Sequence, residues 1–404
     1  MKPDLIPIEQ ATQTVLSHLI HLDNEQVPLE KALGRILRED LFADRDFPPY
    51  HRITMDGIAI RYSAFENGIR RFPIQAIQAA GAPQDTLADE KHCLEVMTGA
   101  ILPNGTDTII RYEDLNIQNG IAEITVDSIR AQQNVHHQGS DRKQGSLIVR
   151  AGQRISPAEI GVAATIGKTA LTVARLPKVV IITTGDELVK VGAQPLPHQI
   201  RSSNVYKIKT ALADWGIPAT ALHLLDDKAS MQSQLSACLE QYEVLILSGG
   251  VSKGKFDFVP EVLSNLKVTK YFHRVAQRPG KPFWFGGTEK NRVFALPGNP
   301  VSSFMCLQRY FMPWIRASLG LPAMASTFAI LNQDFHFKPN LTYFLQVKTN
   351  FDAHGQLLAR PIEGNGSGDL ANLVDADAFL ELPRGQARFE KGVVYPIWFY
   401  RSIE

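Results

Sequence analysis

The run KVVIITTG (residues 178–185) is the strongest indication of the fold of this chain. It is a nearly continuous apolar run that ends in glycine, which is typical of a strand buried on both faces of a sheet. Two runs of the same kind follow, EVLILSGG (243–250) and RVFALPGN (292–299). Helical patterns lie between them, at Val205–Trp215 and Ser230–Glu240, together with the strand-like run ATALHLL (219–225). Strands that alternate with helices predict a doubly wound parallel sheet.

Other patterns flank this predicted α/β domain. Near the N-terminus, apolar residues three and four apart predict an amphipathic helix; they are Ala11, Val15, Leu16, Leu19 and Leu22. A second helix is predicted at Lys31–Arg38, and a long apolar one at Pro300–Leu319. Short β-branched runs between residues 53 and 149 predict a small, mostly antiparallel β domain, inserted between helical pieces. Short strands return after residue 327, as in a small β-barrel or sandwich.

We therefore predict a multidomain chain of α/β plus β architecture. A helical N-terminal piece comprises residues 1–45 and 146–176, and the inserted β domain comprises residues 46–145. The α/β domain with the doubly wound parallel sheet comprises residues 177–326. A small C-terminal β-barrel comprises residues 327–404.

Composition and charge exclude several classes of protein. The 44% hydrophobic and 21% charged residues are ordinary for a globular protein and exclude a disordered or fibrous chain. With 42 basic and 41 acidic residues the net charge is +1, so no global field favours nucleic acid or an anionic membrane, and any anion site must be local. The three cysteines form no CxxC pair, and no stretch of 18 apolar residues occurs. We expect a soluble cytoplasmic protein with no nucleic-acid or membrane partner.

Three loops with glycine and small polar residues leave the predicted strands. They contribute the candidate ligand-binding residues Thr184, Gly185, Asp186, Ser248, Gly249, Gly250, Ser252, Pro297, Gly298, Asn299 and Ser302. Glycine allows the backbone to approach a ligand closely, and N–H groups at a helix start suit a phosphate. One such loop is more often a plain turn. Three of them at the carboxyl edge of one sheet predict an extended ligand that carries phosphate.

Charged residues beside these loops complete the candidate site. Mg²⁺ commonly binds through one or two carboxylates together with substrate phosphates, so the carboxylates near these strand ends are candidate ligands. They are Asp186, Glu187, Asp226, Asp227 and Asp257. Any one of these carboxylates taken alone is better explained as a solvated turn residue or a helix N-terminal charge. Arg278 and Lys281 lie in RPGKP (278–282), where two prolines stiffen the loop, and they could grip an anion. The same loop could also be a surface turn.

Three segments near or within the β domain place a small polar group beside a glycine. They contain Asp56, Thr98 and Asp141, and each could also be an ordinary turn. The pair His136-His137 suggests a metal, but adjacent histidines point apart and no third ligand is near, so we reject that interpretation. The sequence has no HExxH, GxGxxG or Walker A motif.

These residues carry a resemblance to a known family. The motifs occur together and in order: MDG (55–57), EVMTGAILPNGTDTII (95–110), GSDRKQGSLIVRAG (139–152), TTGDEL (183–188), SGGVSKGKFDFV (248–259), RPGKP (278–282), ALPGNPVSSF (295–304) and GSGDLANLVDADAFLELPRG (366–385). The chain resembles the molybdopterin molybdenumtransferase family from about Ile8 to Phe399. A eukaryotic relative of that family is the E domain of gephyrin.

The resemblance implies a homodimer with four domains per subunit, whose α/β domain binds molybdopterin. It implies a Mg²⁺-dependent reaction on two substrates, molybdate and adenylylated molybdopterin, in which molybdate enters the dithiolene and AMP leaves. Carried over by position, Glu187 and Asp257 would serve the metal and the phosphate, and Arg278 and Lys281 would hold anionic groups. Residues Asp56, Thr98, Asp141 and Ser367 would reach the site from the other domains. We expect an active site shared between subunits, and a molybdopterin adenylyltransferase as partner.

The sequence also departs from the family pattern. YHRITMDG stands where FDNSAMDG is usual, GKFD stands where GDYD is usual and adds Lys253 and Lys255, and Arg278 replaces a lysine. Two alternatives stay open. One is a molybdopterin adenylyltransferase, a shorter single-domain enzyme with similar TGD and SGG loops. The other is a paralog that binds the pterin without turnover.

Overall fold

The structure, a computed structural model, describes residues 5–252, 257–322 and 326–402. The chain divides into two compact units. We call residues 1–38, 152–156 and 172–404 the α/β unit, and residues 39–151 and 157–171 the inserted unit. The predicted domain boundaries at 45/46, 145/146, 176/177 and 326/327 stay predictions.

The helices follow one another in chain order as α1 (Ile8–Ser17), α2 (Tyr62–Glu66), α3 (Pro157–Thr165), α4 (Asn204–Ala213), α5 (Lys228–Gln241), α6 (Val259–Asn265), α7 (Pro300–Cys306), α8 (Met312–Ser318) and α9 (Asn372–Asp375). Short 3-10 turns occur at Leu29–Lys31 and Tyr112–Asp114, and a π-helical turn at Leu307–Phe311. No helix of the described ranges is both long and apolar enough to span a membrane.

The inserted unit contains a six-stranded sheet. Its strands are β1 (Gly57–Ile60), β2 (Arg71–Gln78), β3 (Cys93–Val96), β4 (Thr108–Arg111), β5 (Leu115–Gln118) and β6 (Ile121–Ile124). The order is β4-β1-β3-β2-β6-β5; β2 and β3 are parallel and the other neighbours are antiparallel. The predicted β domain is thus confirmed as mostly antiparallel.

The α/β unit contains the sheet that positions the candidate site. Its strands are β7 (Val179–Thr184), β8 (Ala219–Leu224), β9 (Val244–Ser248), β10 (Thr269–His273), β11 (Trp284–Gly287) and β12 (Arg292–Leu296). The order is β8-β7-β9-β12-β11-β10, and the first four are parallel. β11 is antiparallel to both neighbours, because only four residues connect it to β12 and a parallel crossover needs a dozen or so. The predicted parallel sheet therefore has an antiparallel extension.

Helices cover both faces of this sheet. On one face, Val179 and Ile181 share a core with Ile208 of α4 and Val15 of α1. On the other face, Val180, Ile182, Leu245 and Leu247 pack with residues of α5 and α6, among them Met231, Leu235, Val259 and Leu263. Successive strand residues point to opposite faces, so an apolar run buried on both sides is what a doubly wound sheet requires. The predicted fold class is confirmed.

The C-terminal part of the α/β unit is a closed barrel. Its strands are β13 (Phe328–Leu331), β14 (Thr342–Phe351), β15 (Leu357–Pro361), β16 (Ala378–Leu382) and β17 (Val394–Phe399). The order β14-β15-β13-β17-β16 closes because β16 also pairs with β14. Short strands elsewhere in the chain are Asn24–Pro28, Leu41–Phe42, Arg52–Ile53, Val135–His136, Leu147–Val149, Ala170–Ala174, Leu188–Val189, Ile200–Arg201, Gln277–Arg278, Phe335–His336 and Arg388–Phe389.

Three helix predictions need correction. The predicted helix at 31–38 is absent: Gly34 has φ +76°, and Ile36 and Leu37 are buried in isolated bridges to Arg154 and Val173. The predicted helix at 300–319 runs without a break from Pro300 to Ser318, but it contains a π-helical turn at Leu307–Phe311, shortly before Pro313, which has no N–H to donate within the helix. Helix α1 ends at Ser17, so part of its predicted apolar stripe lies beyond it.

Candidate functional site

The parallel strands of the α/β unit end at a cavity of about 450 Å³. In the order β8-β7-β9-β12, strand β7 lies between the next two strands in sequence, which is the topological switch point where such sheets bind ligands. We call this space the first cavity. Predicted residues that line it are Thr184, Gly185, Glu187, Ser248, Gly249, Gly250, Ser252, Asp257, Pro297, Gly298 and Asn299.

Gly249 shows why glycine follows β9. Its φ is +109°, which L side chains rarely adopt, and its N–H donates to the carbonyl of Leu296 at 3.1 Å. A Cβ atom here would lie 2.7 Å from Oγ1 and 2.9 Å from the carbonyl oxygen of Thr184. The loops after β7, β9 and β12 can therefore pack this closely because Gly249 has no side chain.

Asn204, at the start of α4, holds two of these loops together. Its Nδ2 donates to Ser248 Oγ at 2.9 Å and to the carbonyl of Gly298 at 2.8 Å. The sequence analysis missed this residue and its neighbours in the lining of the first cavity, which are Arg201, Ser202 and Ser203. The polar run RSSN before a predicted helix was the available signal, since Ser and Asn commonly begin helices.

Carboxylates crowd one side of the first cavity. Glu187 and Asp257 line it, and so does Asp226, the carboxylate that follows the strand-like run ATALHLL. Asp186 lies beside them and accepts a hydrogen bond from the Asp226 N–H at 3.0 Å. Burial raises the pKa of Asp226, and the negative charges of the other three raise it further. A bound cation would reduce the electrostatic repulsion among these carboxylates.

The carboxylates of the first cavity fit Mg²⁺ only if a phosphate of the ligand also coordinates the ion. Within residues 5–252, 257–322 and 326–402, no three His, Cys, Asp or Glu side chains form a group that could hold a metal ion. Mg²⁺ keeps several waters and commonly uses one or two carboxylates plus substrate phosphates. Glu187 and Asp257, lining one cavity beside three glycine-rich loops, meet that requirement.

A second cavity of about 390 Å³ adjoins the first. The predicted residues Arg278, Lys281, Ser302 and Ser367 line it. Pro282, Pro297 and Asn299 line both cavities, so one wall separates them. We define this shared wall as Pro297–Val301. Asn299 Nδ2 donates to Ser367 Oγ at 2.8 Å, and the Val301 N–H donates to the Ser367 carbonyl at 3.1 Å.

Buried groups support the basic loop of the second cavity. Gly280 has φ +87°, and a Cβ there would lie 2.6 Å from Cys306 Sγ. The buried side chain of Gln277 donates to the Gly280 carbonyl at 3.0 Å and accepts from Tyr310. The guanidinium of Arg278 lies 5.8 Å from the ring centre of Phe337. The cationic side chains thus project from a loop that is fixed at its base.

The three predicted residues of the inserted unit lie in two hydrogen-bonded pairs, one of which is completed by His136. Thr98 donates to Asp56 Oδ1 through its N–H at 2.6 Å and through its hydroxyl at 2.7 Å, and these bonds lower the pKa of Asp56. Asp141 pairs with His136 Nε2 at 2.8 Å. His136 therefore has a carboxylate partner, while His137 packs edge-on against His51. Lys253 and Lys255 lie outside the described residues.

Comparison with known proteins gives the same relationship along the whole chain. Residues 6–167 match the MoeA N-terminal region (domain I and II), residues 180–317 a probable molybdopterin binding domain, and residues 329–399 the MoeA C-terminal region (domain IV). A molybdopterin molybdenumtransferase of Synechocystis sp. is 39% identical over 98% of this chain and 100% of its own length. One of Bacillus subtilis is 30% identical over 98% and 94%.

A solved structure shares the fold. The molybdopterin biosynthesis MoeA protein from Pyrococcus horikosii superposes with a TM-score of 0.83 at 29% identity, covering 99% of this chain and all of that one. A second structure from Pyrococcus horikoshii gives 0.82 at 24% identity over 98% of this chain. The resemblance predicted from the motifs is confirmed: the chain belongs to the molybdopterin molybdenumtransferase family.

Proposed function

We propose that this protein inserts molybdate into the dithiolene of adenylylated molybdopterin, with Mg²⁺-dependent release of AMP. The relatives that match nearly the full chain carry the transferase name. The observation that carries the proposal is the pair of adjoining cavities with opposite character. One is lined by glycine loops and carboxylates, and the other by Arg278 and Lys281.

The first cavity would hold the phosphate-bearing pterin. Backbone groups of the loops at Gly185, Gly249 and Gly298 can approach the phosphate closely, and the hydroxyls of Thr184 and Ser248 can donate to it. Glu187 and Asp257 would hold Mg²⁺ against the same phosphate. When bound, the ion would neutralise charge on the phosphate that becomes AMP.

The second cavity would hold molybdate. Arg278 offers a planar fork of donors and Lys281 a compact charge, and both suit a tetrahedral oxyanion. The hydroxyls of Ser302 and Ser367 add neutral donors. Because the cavities share the wall Pro297–Val301, the oxyanion would lie beside the pterin that receives it.

We further propose a cytoplasmic homodimer in which each active site uses both chains. Asp56, Thr98 and Asp141 belong to the inserted unit, whereas Glu187 and Asp257 belong to the α/β unit. A two-fold partner can complete such a site twice per dimer. A molybdopterin adenylyltransferase would supply the substrate. Asp56→Ala and Glu187→Ala should be inactive alone, and re-annealed mixtures should recover about a quarter of the activity, since half the dimers are mixed and each has one intact site.

The central experiment measures AMP and cofactor released from adenylylated molybdopterin with molybdate and Mg²⁺. The wild type should release both, and Glu187→Gln should abolish release without unfolding the protein. Glu289→Gln, on an exposed loop residue, is the matched control. Adenylylated pterin that accumulates from ATP would support the adenylyltransferase alternative. Tight pterin binding without any release would support the non-catalytic alternative.

A further inference from the structure

Lys207 is a partly buried lysine with uncharged partners. It lies on α4, and its Nζ donates to the carbonyl of Pro300 at 2.6 Å and to Asn204 Oδ1 at 3.1 Å. The ring of Phe304 lies 5.4 Å from the same nitrogen. Burial lowers the pKa of Lys207 to about 7. Its two oxygen partners carry no charge, so no ion pair offsets the cost of burying this amine.

The hydrogen bond from Lys207 fixes the orientation of the Asn204 amide. With Oδ1 accepting from Lys207, Nδ2 must face the other way, where it donates to Ser248 and to Gly298. An amide turned around would place two donors, Nδ2 and Nζ, against each other. One lysine therefore determines how Asn204 joins the loops after β9 and β12.

Lys207 also contacts the shared wall directly. Its bond to Pro300 lies one residue beyond Asn299, which lines both cavities and donates to Ser367. The wall is thus held at Gly298 through Asn204, at Pro300 by Lys207, and at Asn299 and Val301 by Ser367. The hydrogen bonds continue from one cavity to the other.

We propose that Lys207 is a positioning residue that holds the shared wall Pro297–Val301 in the register that both cavities require. This rests on the proposed function, in which the pterin and the oxyanion must meet across that wall. Lys207 would touch neither substrate. Its loss would leave each cavity able to bind but displace one relative to the other, and displacement by about 1 Å can cost a hundredfold in rate.

The test compares Lys207→Met with Lys209→Met. Both lysines lie on α4, and Lys209 is exposed. We expect Lys207→Met to lower kcat by about ten- to a hundredfold with little change in the KM for molybdate. Lys209→Met should match the wild type. Lys207→Arg, which keeps the charge and the donors, should recover most of the lost kcat.

A second measurement is independent of turnover. Hydrogen exchange of the backbone N–H groups of residues 298, 299 and 301–303 should be faster in Lys207→Met than in Lys209→Met, because the wall has lost one of its hydrogen bonds. Unchanged exchange, or a kcat equal to that of Lys209→Met, overturns the positioning role. A wild type without molybdate-dependent turnover overturns the proposed function instead. If Lys207→Met does not fold, Asn204→Ala replaces it, because it removes the hydrogen bonds that link Lys207 to Ser248 and Gly298. Its kcat and its hydrogen exchange are then measured in the same way.

Discussion

Replacing Gly249 by alanine should destabilise the α/β unit and disorder the first cavity. The φ of +109° is unfavourable for alanine, and holding a residue in such a region costs about 1–3 kcal/mol. The added Cβ would also lie 2.7 and 2.9 Å from two oxygen atoms of Thr184, and overpacking of this kind costs about 1–3 kcal/mol. Together the loss is about 2–6 kcal/mol.

The assay is urea unfolding followed by circular dichroism, with a thermal melt of the same samples. A loss of this size should lower the melting temperature by roughly 3–10 °C. Gly298→Ala is the matched control in the same cavity. Its φ is not positive, and the nearest atom to its Cβ would be Gly249 Cα at 3.6 Å, an ordinary contact. It should fold with nearly wild-type stability.

The two variants also separate stability from binding. Gly298→Ala adds a methyl group to the lining of the first cavity and should weaken AMP binding while the protein stays folded. If Gly249→Ala unfolds at the same urea concentration as Gly298→Ala and the wild type, the argument from close packing of the strand-end loops is refuted.

Three further predictions test other parts of the molecule. Arg309→Met should cost about 3–5 kcal/mol in urea unfolding, because it leaves the Glu381 carboxylate, 12% exposed and 2.9 Å from Arg309 Nε, without its charge partner. Adding Glu381→Gln, which removes the buried charge and keeps an oxygen for the Trp398 indole N–H, should recover part of the loss. Lys281→Ala should raise the molybdate concentration required for half-maximal turnover by about ten- to a hundredfold, and a larger effect on pterin affinity would contradict it. Thr98→Val should raise the pKa of Asp56, measured by carboxyl NMR titration. Because the lowered pKa of Asp56 stabilises the folded state only above its unfolded value of about 3.9, that stabilisation is lost as pH falls below it and should be smaller in the variant.

The strands of the α/β sheet were predictable because a strand buried on both faces is a run of consecutive apolar residues. KVVIITTG and EVLILSGG are apolar at every position that the two core faces require, and they became β7 and β9. The helix predicted at 31–38 failed because Gly34 and long-range bridges from Ile36 and Leu37 outweigh local helical preference. The periodicity of apolar residues does not show which distant residues a segment will pair with.

The glycine loops of the first cavity were also predictable, since three loops at the ends of parallel strands must meet at one edge. Lys207 and Asn204 were not. Nothing in VYKIKT distinguishes Lys207 from Lys209 two residues later, yet one binds the wall and the other faces solvent. The difference depends on where α4 lies against the loops after β9 and β12.

The fold class, the family and the chemical character of the candidate site were predictable from the sequence, because strand burial, turn glycines and charged side chains are properties of short segments. The folded structure was needed to show that Arg278 and Lys281 line a separate cavity from Glu187 and Asp257, and that Asn299 lines both. These residues are distant in sequence. Their proximity results from the packing of helices, loops and barrel against one sheet edge, which is a property of the whole fold and of no single segment.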